Sequence, residues 1–311
     1  MKKIYFTIAL ALMILGSAQA QQDPQYTQYM YTMNVINPAY AGSRGDLAIG
    51  LLYRSQWVGI NDAPKTATFS ASSPVGKNVG VGLSIISDKI GPVDETNTYA
   101  DVSYTLNLGG EHRLAFGIKA GATFQKIGLY SDIGNGYVPD PNDEAFSENT
   151  NNTYLNVGAG FFYYTDNYYV SFSIPNMLKS TYLDVTNNGQ EYKYGSDVMH
   201  YFLSAGYVFN LSDKTKFKPS FLLKSAFDAP TSLDVSANFL FFDKFELGAT
   251  YRLDDSVGAM ANFAITPEIR IGYAYDYTTS ELNVTTSGSH EIMLLFDLNF
   301  PKKVSVSPRF F

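Results

Sequence analysis

The sequence contains no cysteine. That absence excludes a disulfide scaffold, thiolate metal sites, a cysteine nucleophile and a lipidated cysteine near the N-terminus. Charge is also scarce, with Asp, Glu, Lys and Arg making up 16% of the 311 residues, against about 25% in ordinary soluble domains. The imbalance is acidic, 29 Asp and Glu over 22 Lys and Arg for a net charge of -7, so no global basic footprint for nucleic acid exists. Histidine occurs at His112, His200 and His290, at separations that match no metal or triad motif. Beyond the first 20 residues no apolar run approaches the length of a membrane helix. A helical membrane protein is therefore excluded, and a disordered chain is excluded by an aromatic content of 15%.

What is present begins with Lys2 and Lys3, continues with the apolar stretch Ile4 to Gly16, and reaches Ala18-Gln19-Ala20. This is the pattern of a signal peptide over residues 1–20. The apolar stretch is shorter than the roughly 20 residues of a membrane anchor. An exported chain starting at Gln21 is expected.

From Leu47 onward the dominant signal is period-two alternation. In the stretch from His112 to Gln125, Leu114, Phe116, Ile118, Ala120, Ala122 and Phe124 alternate with small or polar residues. Near the end, Ile292, Leu294, Phe296, Leu298 and Phe300 alternate with Glu291, Met293, Leu295, Asp297 and Asn299. Fourteen strands can be marked, at 47–56, 66–73, 79–87, 98–108, 112–125, 153–165 and 168–174, then 200–211, 215–225, 232–241, 245–252, 256–265, 268–277 and 288–300. Connections after even-numbered strands are all short, whereas the long ones, 57–65, 88–97, 126–152, 175–199 and 278–287, all follow odd-numbered strands.

Short turns on one rim and long loops on the other are the pattern of an all-β transmembrane barrel of the outer membrane, with periplasmic turns and extracellular loops. A soluble sandwich does not predict that parity. The barrel spans 47–300 and is followed by a tail, 301–311. Strand-end aromatics, among them Tyr53, Tyr104, Tyr163, Tyr164, Tyr207, Tyr251, Tyr275 and Tyr277, fit interfacial girdles. The inward phase carries Arg54, Asp101, Lys119, Lys218, Lys224 and Asp234, then Glu246, Arg252, Arg270, Asp276, Glu291 and Asp297. Six basic and six acidic groups suggest cross-lumen pairing, with ion selection as the alternative. Segment 21–46 is Gln- and Tyr-rich, lacks alternation and turns at Asn37-Pro38 and Gly42. It is expected in the periplasm or lining the lumen.

The sequence offers little for catalysis or metal binding, so no enzyme, cofactor or metal site is expected. Asp140 to Glu144 has acidic oxygens without the glycine turn of a calcium loop. Partner contact falls to the outer loops. Trp57 opens the first loop beside Gly59, Tyr137, Tyr182, Tyr192 and Tyr194 lie in the longest ones, and Asp276 and Tyr277 lead into the last.

Four strings then resemble the PorP/SprF family of outer-membrane proteins of the type IX secretion system and gliding machinery. They are QDPQYTQYMYTMNVINPAYAG (Gln22 to Gly42), RSQWVGINDAPKT (Arg54 to Thr66), GYAYDYTTS (Gly272 to Ser280) and GSHEIMLLFDLNF (Gly288 to Phe300). Asn37, Pro38, Ala39, Tyr40, Gly42, Arg54 and Gln56 carry the signature. The resemblance implies a Gram-negative outer-membrane barrel, surrounded by lipid, that binds and anchors or helps export a secreted adhesin or other cargo. It also implies periplasmic peptidoglycan-associated machinery as a partner. The alternative is an outer-membrane channel for small or hydrophobic solutes.

Overall fold

In the computed structural model the described residues are 25–128, 150–178, 181–187, 190–196, 199–226 and 229–298. Strands dominate: β1 (Leu47–Ser55), β2 (Lys65–Pro74), β3 (Val79–Ile90), β4 (Val93–Gly109), β5 (His112–Ile127), β6 (Thr150–Tyr164) and β7 (Tyr168–Ile174) form the first half. A separate hairpin, β8 (Thr181–Asn187) with β9 (Gln190–Ser196), follows in the outer connection. The second half comprises β10 (His200–Tyr207), β11 (Phe209–Ser212), β12 (Thr215–Ala226), β13 (Ala229–Phe241), β14 (Phe245–Arg252), β15 (Ser256–Ala264), β16 (Ile269–Thr278) and β17 (Ser289–Leu298).

Every pairing is antiparallel, and β1 closes the ring on β17 from Leu47↔Leu298 to Ser55↔His290. β10 and β11 are two halves of one barrel strand, since both pair with β12. They part at Val208, whose N–H donates sideways to the Asn167 carbonyl at 2.7 Å. The result is a closed barrel of 14 strands. Closure leaves no unpaired sheet edge in lipid.

The alternation sorts side chains between lipid and lumen. Phe116, Ile118, Val235, Leu247, Phe263 and Ile292 point outward and are exposed, while Lys119, Ser236, Glu246, Asn262 and Glu291 on the same strands are buried inside. Such an apolar exterior suits a bilayer. At the periplasmic rim rings follow one another around the wall. Tyr168 stacks on Tyr207 at 6.0 Å, Tyr207 meets Phe209 at 4.3 Å, and Phe217 meets Phe239 at 4.8 Å. Tyr164, expected in this girdle, instead points inward and stacks on Phe162, which in turn meets Tyr169. Its neighbour Tyr163 faces out, and adjacent strand residues cannot share a face.

Two outer connections differ from expectation. Residues 88–97, expected as a loop, are strand: β3 and β4 continue to a tight turn at Gly91-Pro92, and Lys89 pairs with Asp94 at 3.4 Å. Above the bilayer both faces meet water, so the ladder continues without the apolar alternation that marks it in the membrane. The connection 175–199 contains the β8–β9 hairpin.

Candidate functional site

The lumen is occupied by the chain itself. Every residue from Tyr26 to Asp46 is buried except Arg44. This plug is built of short pieces, 3-10 turns at Tyr29–Tyr31 and Pro38–Tyr40 and one helical turn at Met33–Ile36. Asn37 caps the start of the Pro38–Tyr40 turn, its side-chain oxygen accepting from the Ala39 N–H at 2.9 Å. Between Gln25 and Ser43 the plug has no charged residue. Wall charges, among them Glu246, Lys119 and Glu291, reach in to meet it.

Anchors run the length of the lumen. At the outer end Glu291 accepts the backbone N–H groups of Thr27 and Gln28 at 2.9 and 2.8 Å. Further along the plug the Tyr29 hydroxyl donates to Ser220 at 3.0 Å, and the Tyr31 hydroxyl donates to Glu246, which also pairs with Lys218 at 2.9 Å. Lys119 donates to the Asn34 carbonyl at 3.3 Å and pairs with Asp101 at 3.0 Å. Asn37 donates to Ser171 at 2.7 Å and to the Phe161 carbonyl at 2.9 Å. At the periplasmic end Ser103 donates to the Ala41 carbonyl at 2.6 Å, and Arg44 pairs with Asp297 at 2.6 Å.

Wall glycines let the plug lie directly on the backbone. A Cβ on Gly117 would stand 2.2 Å from the Ala39 nitrogen, and one on Gly80 2.0 Å from the Ala41 carbonyl oxygen. Only a residue without a side chain leaves room at either place. Tyr40 packs edge-on against Phe162 at 5.1 Å. Asn37, Pro38, Ala39, Tyr40 and Gly42 of the signature are thus the lower plug and its seat.

The lumen charges are paired around this segment. Arg54 bridges Asp276 at 2.7 Å and Glu291 at 3.3 Å, and Arg252 pairs with Asp234 at 2.9 Å. Buried pairs of this kind gain little net stability, but breaking one by removing a partner costs about 3–5 kcal/mol.

The candidate partner residues are dispersed. Trp57 is half-buried in the first outer loop and Gly59 is exposed beside it. Both have positive φ, 46° and 103°, held by contacts to the last loop: Val58 N–H to Gly288 O and Ser287 N–H to Val58 O, each 2.8 Å. Gln56 donates its N–H to the Pro64 carbonyl at 2.9 Å, closing the base of the first loop. Tyr277 is 57% exposed, whereas Asp276 points into the lumen and is 3% exposed. Its inward phase overrides its closeness to the loop. Tyr137 and the segment Asp140 to Glu144 lie outside the described residues, as do residues 1–24 and the tail 301–311. Tyr182, Tyr192 and Tyr194 belong to the β8–β9 hairpin, whose backbone alone is described. His112 bonds Tyr163 and His290 bonds Tyr273, each at 2.6 Å, while His200 is buried on the inner wall.

A closed strand barrel with a lipid-facing exterior, aromatic rims and a polar lumen filled by its own N-terminal segment is an outer-membrane β-barrel. The chain belongs to the family of the type IX secretion system membrane protein PorP/SprF, whose sequence profile matches residues 18–296. A search of curated proteins finds no match. Solved structures of similar fold include the CymD monoaromatic hydrocarbon channel, with 13% identity, 88% of this chain and 94% of that chain covered, and a TM-score of 0.50. The Ralstonia pickettii toluene transporter TbuX has 12% identity over 85% of this chain and 92% of its own, also with a TM-score of 0.50. The Acinetobacter baumannii outer membrane protein Omp33 has 11% identity over 81% and 99%, with a TM-score of 0.46. The protein is an outer-membrane component of type IX secretion.

Proposed function

We propose that this barrel binds and anchors, or helps export, a large secreted surface protein at its outer mouth, without a catalytic step. The filled lumen carries the proposal. A solute conduit needs a continuous wet path, and Tyr26 to Asp46 are packed where that path would run. The likeness to CymD and TbuX extends to the fold alone. Within this reading the cargo is a secreted adhesin or another type IX substrate. Trp57 and Tyr277, with Tyr137, Tyr182, Tyr192 and Tyr194 of the longer outer connections, supply aromatic anchors, and Gly59 lies in the turn beside Trp57. The opposite rim, where a cleft of about 100 Å³ lies between plug residue Gly42, Lys77 and Arg113, faces the periplasmic machinery.

The test is a mild-detergent pull-down of the tagged barrel from its native envelope, read by mass spectrometry. A large secreted protein in near-stoichiometric amount is the expected result. A barrel recovered alone, while other envelope complexes survive, overturns the anchoring role. Planar-bilayer recordings of the same preparation should be silent, and steady solute conductance would revive the channel.

A further inference from the structure

Thr27 is where the plug meets the densest wall charge. Besides the two backbone N–H groups that Glu291 accepts, the Thr27 hydroxyl donates to Asp276 at 2.6 Å and accepts from Arg54 at 2.9 Å. Arg54, Asp276 and Glu291 each lie within 2 residues of the outer end of β1, β16 or β17. Those strand ends carry the first and last outer loops, which Val58, Ser287 and Gly288 bond to each other. Trp57 N–H adds a bond to the Ser289 hydroxyl at 3.2 Å. At its other end the plug passes from Asp46 into the periplasmic start of β1. The segment therefore climbs the lumen as it is followed back toward the N-terminus. Gln25, half-buried, stands beside Phe202, Lys224 and Ser232 near the outer ends of their strands.

We propose that Gln25 opens to the cell exterior while Tyr26 to Gln28 lie buried beneath the joined loops, latched by Arg54, Asp276 and Glu291, so that a partner seated on those loops can release the plug end. On the plug Glu291 holds backbone, so the latch grips two successive amides through charge-assisted bonds. The role of the partner rests on the anchoring function proposed above. The placement and the latch do not, and both are tested without a partner.

Because the chain lacks cysteine, Gln25→Cys gives a single reactive thiol. A membrane-impermeant maleimide should label it on intact cells, whereas Lys77→Cys in a periplasmic turn should react only after the envelope is opened. Adding Glu291→Gln should speed labelling of Gln25→Cys about tenfold, from the lost charge-assisted bonds. Thr27→Val, a milder change, should move it the same way by less. Heat-modifiable gel mobility shows that each variant still holds a closed barrel, and Thr27→Val decides the matter if Glu291→Gln does not fold. Labelling of Gln25→Cys only in opened cells overturns the outward placement. Unchanged labelling rates in folded variants overturn the latch. A failed pull-down beside the expected labelling would remove the anchoring function and leave the latch standing.

Discussion

Lys119 and Asp101 face each other across β5 and β4 at 3.0 Å with both side chains fully buried. In a water-filled pore such a pair would be solvated and replaceable, but against a packed plug each charge depends on the other. Lys119→Met should therefore destabilise the barrel by about 3–5 kcal/mol, and adding Asp101→Leu should recover most of that loss. Thermal unfolding in detergent reads both variants, and equal midpoints for the single variant and the parent would show that the pair is wet. Gly117 argues the same point by shape. Gly117→Val places a side chain where Ala39 and Pro38 lie 2.2 and 2.4 Å from the Cβ position. Overpacking of that kind costs about 1–3 kcal/mol, and the wall can relieve it by losing the lower plug. The expected readout is new protease cleavage within residues 33–43 of a barrel that remains heat-modifiable; a protected plug would refute the close approach. Much of this is legible in sequence, because strand phase alone sends Arg54, Asp101, Lys119 and Glu291 inward. Phase also sends Asp276 inward, against its place beside a loop, and the structure follows phase.

Elements differ in how openly they announce themselves. Membrane strands do so because lipid on one side and lumen on the other impose a two-residue period, and the fourteen stretches marked from sequence all recur as barrel strands. The β3–β4 extension does not, since water on both faces leaves residues such as Asp88, Lys89, Asp94 and Glu95 with no pattern. The plug is harder still. It has no long helix or strand, its turns are three or four residues each, and its fixed shape comes from wall groups distant in sequence, such as Ser220 and Glu291. Composition says only that segment 21–46 is unlike the rest. If the plug alone closes the lumen, removing residues 26–43 should leave a folded barrel that conducts in planar bilayers where the parent is silent. The exposed wall charges should then make that current depend on Lys119 and Arg252. A silent deletion variant would mean that the outer loops seal the mouth by themselves.

For the whole molecule, the two rims and the lipid-facing band divide the labour. The band carries the exposed Phe, Leu, Ile and Val residues and is satisfied by the bilayer, which leaves the rims for specific recognition. The outer rim is built for rigidity: the first and last loops are bonded together, and Trp57 is held at a positive φ that bulky residues rarely adopt. Strain of this kind persists only where surrounding contacts impose it, and it gathers at functional positions. Docking on this rim should thus depend on side chains whose backbone is already fixed, with little ordering cost on binding. Trp57→Ala and Tyr277→Ala should each weaken capture of the secreted partner by about 2 kcal/mol or roughly thirtyfold, the scale of an aromatic hot spot. Both should leave the thermal midpoint of the barrel within experimental error. Lys77→Glu, at the periplasmic turn, changes charge on the opposite rim and should leave that capture unchanged. Affinity pull-downs titrated against the purified partner separate the two rims. Equal loss from the Lys77 variant and the Trp57 variant would mean that the partner is held by the barrel as a whole, and that the outer mouth has no special claim to it.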